Sequence, residues 1–237
     1  MIKDTNSQKA ISTMLDTDNL KVIAKQLRCP TGSEGVAMGE KLNETNKGMI
    51  IESIKSLELN DRERVLELGH GSCKHLTNLL DEALELKYFG MEISETMKDE
   101  AERINIGSIK KKKALFQLYN GVDICYVSNF FDKILTVNTI YFLENPLLFL
   151  EEMYRVLKPK GKFVLTFANG SFMEKLPFVI HSNEFNLFSD ENIRELISKT
   201  SFSINSLKKN KEKVISKSGE YVDREYFIVQ LTKHRKK

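Results

Sequence analysis

Val65-Leu66-Glu67-Leu68-Gly69-His70-Gly71-Ser72-Cys73 is the stretch that decides the fold. A short apolar run reaches an acid and then breaks into two glycines one residue apart. About twenty residues on, Tyr88-Phe89-Gly90-Met91 forms a second apolar run that ends in Glu92. Strand, glycine turn, helix, strand and acid in that order open a nucleotide-binding α/β domain. The turn lets a ligand lie against bare backbone. The second acid can accept hydrogen bonds from both ribose hydroxyls, so the pattern favours an adenosine-containing cofactor.

Outward from this stretch the alternation of strands and helices is regular. Arg64–Glu67 is read as strand one, Lys74–Ala83 as its helix and Tyr88–Glu92 as strand two. Ser94–Ile104 is a helix with Ser94 as its N-cap. Ala114–Leu118 and Phe131–Val137 are strands three and four. Pro146–Leu157 is a helix ended by Lys158-Pro159-Lys160-Gly161, and Lys162–Ala168 is strand five. Ser189–Thr200 reads as a helix, and Phe202–Leu207 and Tyr221–Leu231 as two late strands. The expected fold is a Rossmann-like α/β domain with a mostly parallel seven-stranded sheet and helices on both faces.

Before this domain the pattern changes. Ile11, Met14, Leu15, Val22, Ile23 and Leu27 recur at helical spacing over residues 1–28. Pro30-Thr31-Gly32 interrupts them. A glycine-punctuated polar loop follows from Gly32 to Gly48, overlapping a second helix over Asn46–Leu57. Residues 1–45 are therefore expected to be an N-terminal helical cap or lid, and residues 46–237 the cofactor-binding domain.

Composition bounds the function. The chain has 237 residues, 41% hydrophobic and 29% charged, as in ordinary globular proteins. A formal charge of +3 gives no strong nucleic-acid signal, and the basic clusters Lys110–Lys113 and Lys233–Lys237 read as solvated ends of elements. Cys29, Cys73 and Cys125 have no short spacing that suggests a zinc site or a disulfide framework. Met1–Lys9 lacks the apolar centre of a signal peptide, and no apolar run approaches the roughly 18 residues of a membrane span. A cytoplasmic location is expected. The oligomeric state is not legible.

The residues also discriminate between cofactors. A dinucleotide turn wants glycine at the position of Lys74, and a P-loop wants Gly-Lys-Ser/Thr, which is absent. Glu67 suits a cationic ligand better than a pyrophosphate. Here the chain resembles the class I S-adenosylmethionine-dependent methyltransferases over roughly residues 46–170. Glu67-Leu68-Gly69-His70-Gly71 resembles their first motif and Glu92 their ribose-binding acid. Phe131-Asp132-Lys133-Ile134-Leu135 resembles their fourth strand. Glu152-Met153-Tyr154-Arg155-Val156-Leu157-Lys158-Pro159-Lys160-Gly161 is similar to the block before strand five in small-molecule enzymes of the ubiquinone/menaquinone type. Cys73 departs from the motif, whose third glycine it replaces.

The resemblance implies S-adenosyl-L-methionine as cofactor and S-adenosyl-L-homocysteine as product. It implies a cofactor set of Glu67, Gly69, His70, Gly71, Glu92, Ile93, Asn120, Gly121 and Asn138, with Asp123 as the alternative to Asn120 for the adenine amine. It implies no metal. Asn138 and Tyr141 fall at the carboxyl edge of strand four, where ligands of open α/β sheets sit. Phe172, Met173, Phe178 and His181 fall in the insertion that shapes acceptor pockets in this family, with His181 as the one candidate base. His75 reads as structural. Met38, Asn43 and Asn46 are candidates to cover the site. The expected activity is in-line methyl transfer to a small, partly apolar acceptor. The alternatives are an RNA or protein acceptor, or a non-catalytic binding protein with a degenerate site.

Overall fold

The computed structural model describes residues 17–215 and 221–234. Ile11, Met14, Leu15 and the tail from residue 235 lie outside the described residues. Seven strands form one sheet: β1 (Arg64–Leu68), β2 (Lys87–Glu92), β3 (Ala114–Leu118), β4 (Phe131–Val137), β5 (Leu157–Ala168), β6 (Phe202–Ile215) and β7 (Tyr221–Lys233). Their order is β3-β2-β1-β4-β5-β7-β6. The first five run parallel, and β7 lies antiparallel between β5 and β6. This is the mostly parallel Rossmann-like sheet that the sequence implied.

The continuous apolar run of β1 is what a strand covered on both faces requires. Successive side chains point to opposite faces. Leu66 and Leu68 join the core beneath α6 (Pro146–Val156) and α9 (Asp190–Ser198). Val65 joins the opposite core beneath α2 (Gly32–Leu57), α3 (Leu76–Leu80) and α4 (Glu95–Ile104). Several helix starts follow the sequence signals. The Ser94 hydroxyl accepts from Met97 N at 3.1 Å, and Asn145 accepts from Leu148 N ahead of Pro146. Ser189 and Asn192 close a reciprocal capping box.

Other elements differ from expectation. After α1 (residues 17–28) the chain forms no glycine-rich loop, because α2 is one helix of 26 residues. Its glycines serve close packing. A Cβ on Gly35 would stand 2.6 Å from the Pro30 carbonyl carbon, and one on Gly39 would stand 2.7 Å from Met97 Sδ. Position 45/46 thus falls inside α2, whose second half buries Met49, Ile54 and Leu57 in the core. The helix expected over Lys74–Ala83 shortens to α3, because Cys73 turns left-handed at φ 49° and delays its start.

Helix α5 (Ile106–Lys110) and the short helices α7 (Gly170–Met173) and α8 (Pro177–Ile180) carried too little periodicity to be read. β6 runs eight residues past Leu207. Its lysine-rich end looks like a loop in sequence. Cross-strand pairs hold it instead: Lys209–Glu225 at 2.7 Å, Lys211–Asp223 at 2.9 Å and Glu212–Arg224 at 2.7 Å. Among the described residues, no helix is long and apolar enough to cross a membrane.

Candidate cofactor and acceptor site

The strand order reverses between β1 and β4, the switch point at which open α/β sheets bind ligands beyond the carboxyl ends of their strands. A cavity of about 1070 Å³ opens there. Its wall includes Glu67, Gly69, His70, Gly71, Glu92, Ile93, Asn120, Gly121 and Asn138, so the fold brings the whole sequence-derived cofactor set together.

The turn after β1 takes a left-handed backbone at Gly69 (φ 68°) and Gly71 (φ 55°), which glycine adopts without penalty. A Cβ on Gly69 would also collide with Thr139 Oγ1 at 2.6 Å. Glu92, 5% exposed, braces the turn. One carboxylate oxygen accepts from Gly71 N at 2.9 Å, and the other from Ile93 N at 2.8 Å and Ser94 N at 3.1 Å. A carboxylate offers about four lone-pair positions. Three are thus taken by backbone, and the group is fixed in place. His70 tucks beneath β2 with Nδ1 at 2.6 Å from the Gly71 carbonyl oxygen, while its Nε2 is buried without a partner. Burial pushes its pKa below the usual histidine range, against the opposing pull of Glu92 and Glu67.

Glu67 does not face the cavity as a free anion. Its carboxylate accepts from the Tyr88 hydroxyl at 2.7 Å and sits 2.9 Å from His75 Nε2. The Cys73 thiol donates to the Tyr88 oxygen at 3.1 Å. Burial disfavours charge on both Glu67 and His75. The pairing outweighs it, so the carboxyl lies below its ordinary range and the imidazole well above its own. His75, which the sequence reading set aside as structural, is therefore part of the site's charge balance and also lines the cavity.

Asn120 and Gly121 form the wall beyond β3, and Asp123 is not among the lining residues. The Asn120 carbonyl oxygen is already engaged, accepting from Val122 N at 2.9 Å and Asp123 N at 2.8 Å. At the end of β4, Asn138 holds a left-handed φ of 59°, uncommon for a residue with a side chain. Its N–H donates to the Thr166 carbonyl at 2.8 Å and its side-chain oxygen accepts from the Tyr141 hydroxyl. Burial pushes the Tyr141 phenol upward.

One end of the cavity is largely apolar. Phe142, Phe172, Phe178 and Phe185 line it, with ring centroids 5.0 Å apart for Phe142–Phe185 and 5.8 Å for Phe178–Phe185. Leu20, Ile23 and Leu27 of α1 form the facing wall. Arg28 ties α1 across to Glu184 at 3.0 Å. Asn43 and Asn46 reach the site from α2, and Asn43 donates to the Ser72 hydroxyl beside the glycine turn. Met38 is not among the lining residues. Neither is His181, which is exposed at the end of α8, so the candidate base has no place in this cavity.

The sequence reading missed Arg224. Its guanidinium is 7% exposed and lines the cavity from β7. It donates to Asn46 Oδ1 at 2.8 Å, the Thr45 carbonyl at 2.6 Å and Glu212 at 2.7 Å, tying the β6–β7 hairpin to α2.

Residues 66–165 match the family model of a methyltransferase domain. Over that stretch, which is less than half of the 237 residues, the chain is similar to a methyltransferase domain. The match spans β1 to β5 and contains the glycine turn, Glu92 and Asn138. No curated protein matches the chain in sequence. Solved structures share its fold. A methyltransferase in complex with the Haloferax volcanii Trm112 methyltransferase activator superposes with a TM-score of 0.69 at 14% identity, covering 85% of this chain and 95% of that one. The [4+2]-cyclase SpnF gives 0.62 at 14% identity, covering 79% and 82%. A Thermotoga maritima S-adenosylmethionine-dependent methyltransferase, described as a possible histamine N-methyltransferase, gives 0.60 at 21% identity, covering 84% and 95%. At these identities the likeness concerns the fold. The cofactor expected of the methyltransferase domain is S-adenosylmethionine.

Proposed function

We propose that the protein transfers the methyl group of S-adenosylmethionine to a small apolar acceptor by in-line displacement. The observation that supports this most is the continuity of one cavity. It runs from the polar glycine turn and Glu92 into a chamber walled by Phe142, Phe172, Phe178 and Phe185 and roofed by α1. In this reading the backbone of Gly69 and Gly71 lies against the methionine part of the cofactor. The remaining lone pair of Glu92 takes one ribose hydroxyl, and the Asn120–Gly121 wall borders the adenine. Asn138, held by Tyr141, stands where cofactor and acceptor meet.

The sulfonium supplies its own leaving group. The protein's part is then to position both partners and exclude water, which the phenylalanine chamber suits. No base is needed for an acceptor that is already nucleophilic. α1 and the first half of α2 act as the cover. Several facts favour a small molecule over RNA. The exposed Lys110–Lys113 cluster precedes β3, whereas the cavity lies beyond the other end of that strand, about 17 Å away for five residues. Lys233, in the second cluster, is buried and donates to Asn129 and the Tyr154 carbonyl.

The test is to incubate the protein with methyl-labelled S-adenosylmethionine and a cell extract, then partition the label. The reading predicts label in the organic-soluble small-molecule fraction. Label confined to precipitated RNA or protein would overturn it.

A further inference from the structure

We propose that Glu67, Cys73 and His75 form a binding site for one zinc-class divalent cation beneath the glycine turn. This site adjoins the proposed cofactor pocket, sharing Glu67 with the sequence-derived cofactor set, and its test does not depend on methyl transfer. A carboxylate, a thiol and an imidazole converge there from a single turn of chain. His75 Nε2 lies 2.9 and 3.1 Å from the two Glu67 oxygens and 4.0 Å from Cys73 Sγ, and the three donor atoms lie within 4.8 Å of one another. A tetrahedral zinc ion, with Zn–N near 2.0 Å and Zn–S near 2.3 Å, sets such donors about 3.3–3.6 Å apart. Small side-chain adjustments reach that spacing.

The backbone supplies an independent observation. Cys73 stands at φ 49°, in the left-handed region that disfavours a β-carbon, at the position where the methyltransferase motif has glycine. A β-carbon is retained at a strained position, and the thiol it carries is fully buried and aimed at His75 and Tyr88.

The surroundings suit an ion. The Tyr88 hydroxyl donates to Glu67 and so orients one ligand group, while Asn105 Nδ2 holds the Cys73 backbone through its carbonyl at 3.1 Å. Glu67 and His75 line the cavity, which provides an entry path and an open fourth position. One sulfur, one nitrogen and one carboxylate favour zinc or cobalt over magnesium or calcium. On binding, the thiol gives its proton to solvent and coordinates as thiolate.

Tag-free full-length protein, freed of metal with a chelator and then of the chelator, is titrated with Zn²⁺ and, separately, with Co²⁺. The expected result is one equivalent of either ion, with a near-ultraviolet thiolate-to-cobalt absorption band. Cys73→Ser should abolish the band and weaken Zn²⁺ binding at least tenfold, and His75→Asn should weaken it similarly. Cys29→Ser and Cys125→Ser should leave both readings unchanged. If the Cys73 variant fails to fold, the wild-type stoichiometry and band, with the two other cysteine variants, identify the thiol by elimination. Wild-type protein with no stoichiometric ion, an ion without the thiolate band, or a band lost in the Cys29 or Cys125 variant would overturn the proposal.

Discussion

Glu92 enters the cavity already bonded to the N–H groups of Gly71, Ile93 and Ser94. A ligand hydroxyl meeting it finds an anion that need not reorganise. Charge-assisted hydrogen bonds of this kind are worth about 1.5–3 kcal/mol, so Glu92→Ala should weaken S-adenosylmethionine binding by about 10- to 100-fold in calorimetric titration. Unchanged affinity in a folded variant would remove Glu92 from the ribose site. His70 gives a pH dependence. Its folded pKa lies below the unfolded value near 6.5, so the unfolded chain takes up the proton first as pH falls. The stability linked to a neutral His70 is present above about pH 6.5 and is lost as pH drops towards the folded pKa. Thermal melts from pH 7.5 to 5 should therefore fall more steeply for wild type than for His70→Gln, and parallel curves would contradict the buried neutral imidazole. At this scale the sequence made Gly69, Gly71 and Glu92 readable, because each acts through local backbone. It hid the partners of Glu67, because Tyr88 reaches it from the neighbouring strand and His75 from beyond the turn. Asn120 was legible in position but not in its engaged carbonyl, which depends on a turn closed by Val122 and Asp123.

Helix α2 performs two tasks along its length. Its second half is core: Met49 and Leu57 are fully buried, and Ser53 Oγ lies 2.7 Å from Thr166 Oγ1 on β5. Its stretch up to Asn46 carries Asn43 and Asn46 to the cavity. A truncation that tests the cover must therefore end before Gly32. Removing residues 1–31 takes away α1, with Leu20, Ile23, Leu27 and Arg28, and leaves both sheet cores intact. The expected protein keeps cooperative unfolding by circular dichroism, loses acceptor turnover, and loses less cofactor affinity. Loss of cooperative unfolding would make α1 part of the core instead. The strands β1 and β2 were legible because burial on both faces writes nearly continuous apolar runs. α2 was not, since its glycines are there for contact with Pro30 and Met97, and a sequence shows a glycine without showing what it packs against. The far half of β6 was hidden for a related reason. Its lysines are matched by acids on β7 rather than by neighbours in sequence.

Over the whole molecule, the switch in strand order fixes where a ligand can lie, and the long antiparallel hairpin adds a wall from outside the segment that matches the family model. Arg224 joins that wall to α2 through Asn46 and Thr45, so the hairpin and α2 meet at the wall of one cavity. The central claim is that this chamber's polar end holds S-adenosylmethionine. Calorimetric titration of the purified chain tests it most directly. The account predicts saturable one-site binding of S-adenosylmethionine and of S-adenosylhomocysteine, which keeps the ribose, adenine and amino-acid groups, with both weakened by Glu92→Ala. Absence of measurable heat for both ligands, with the protein shown to be folded, would contradict it.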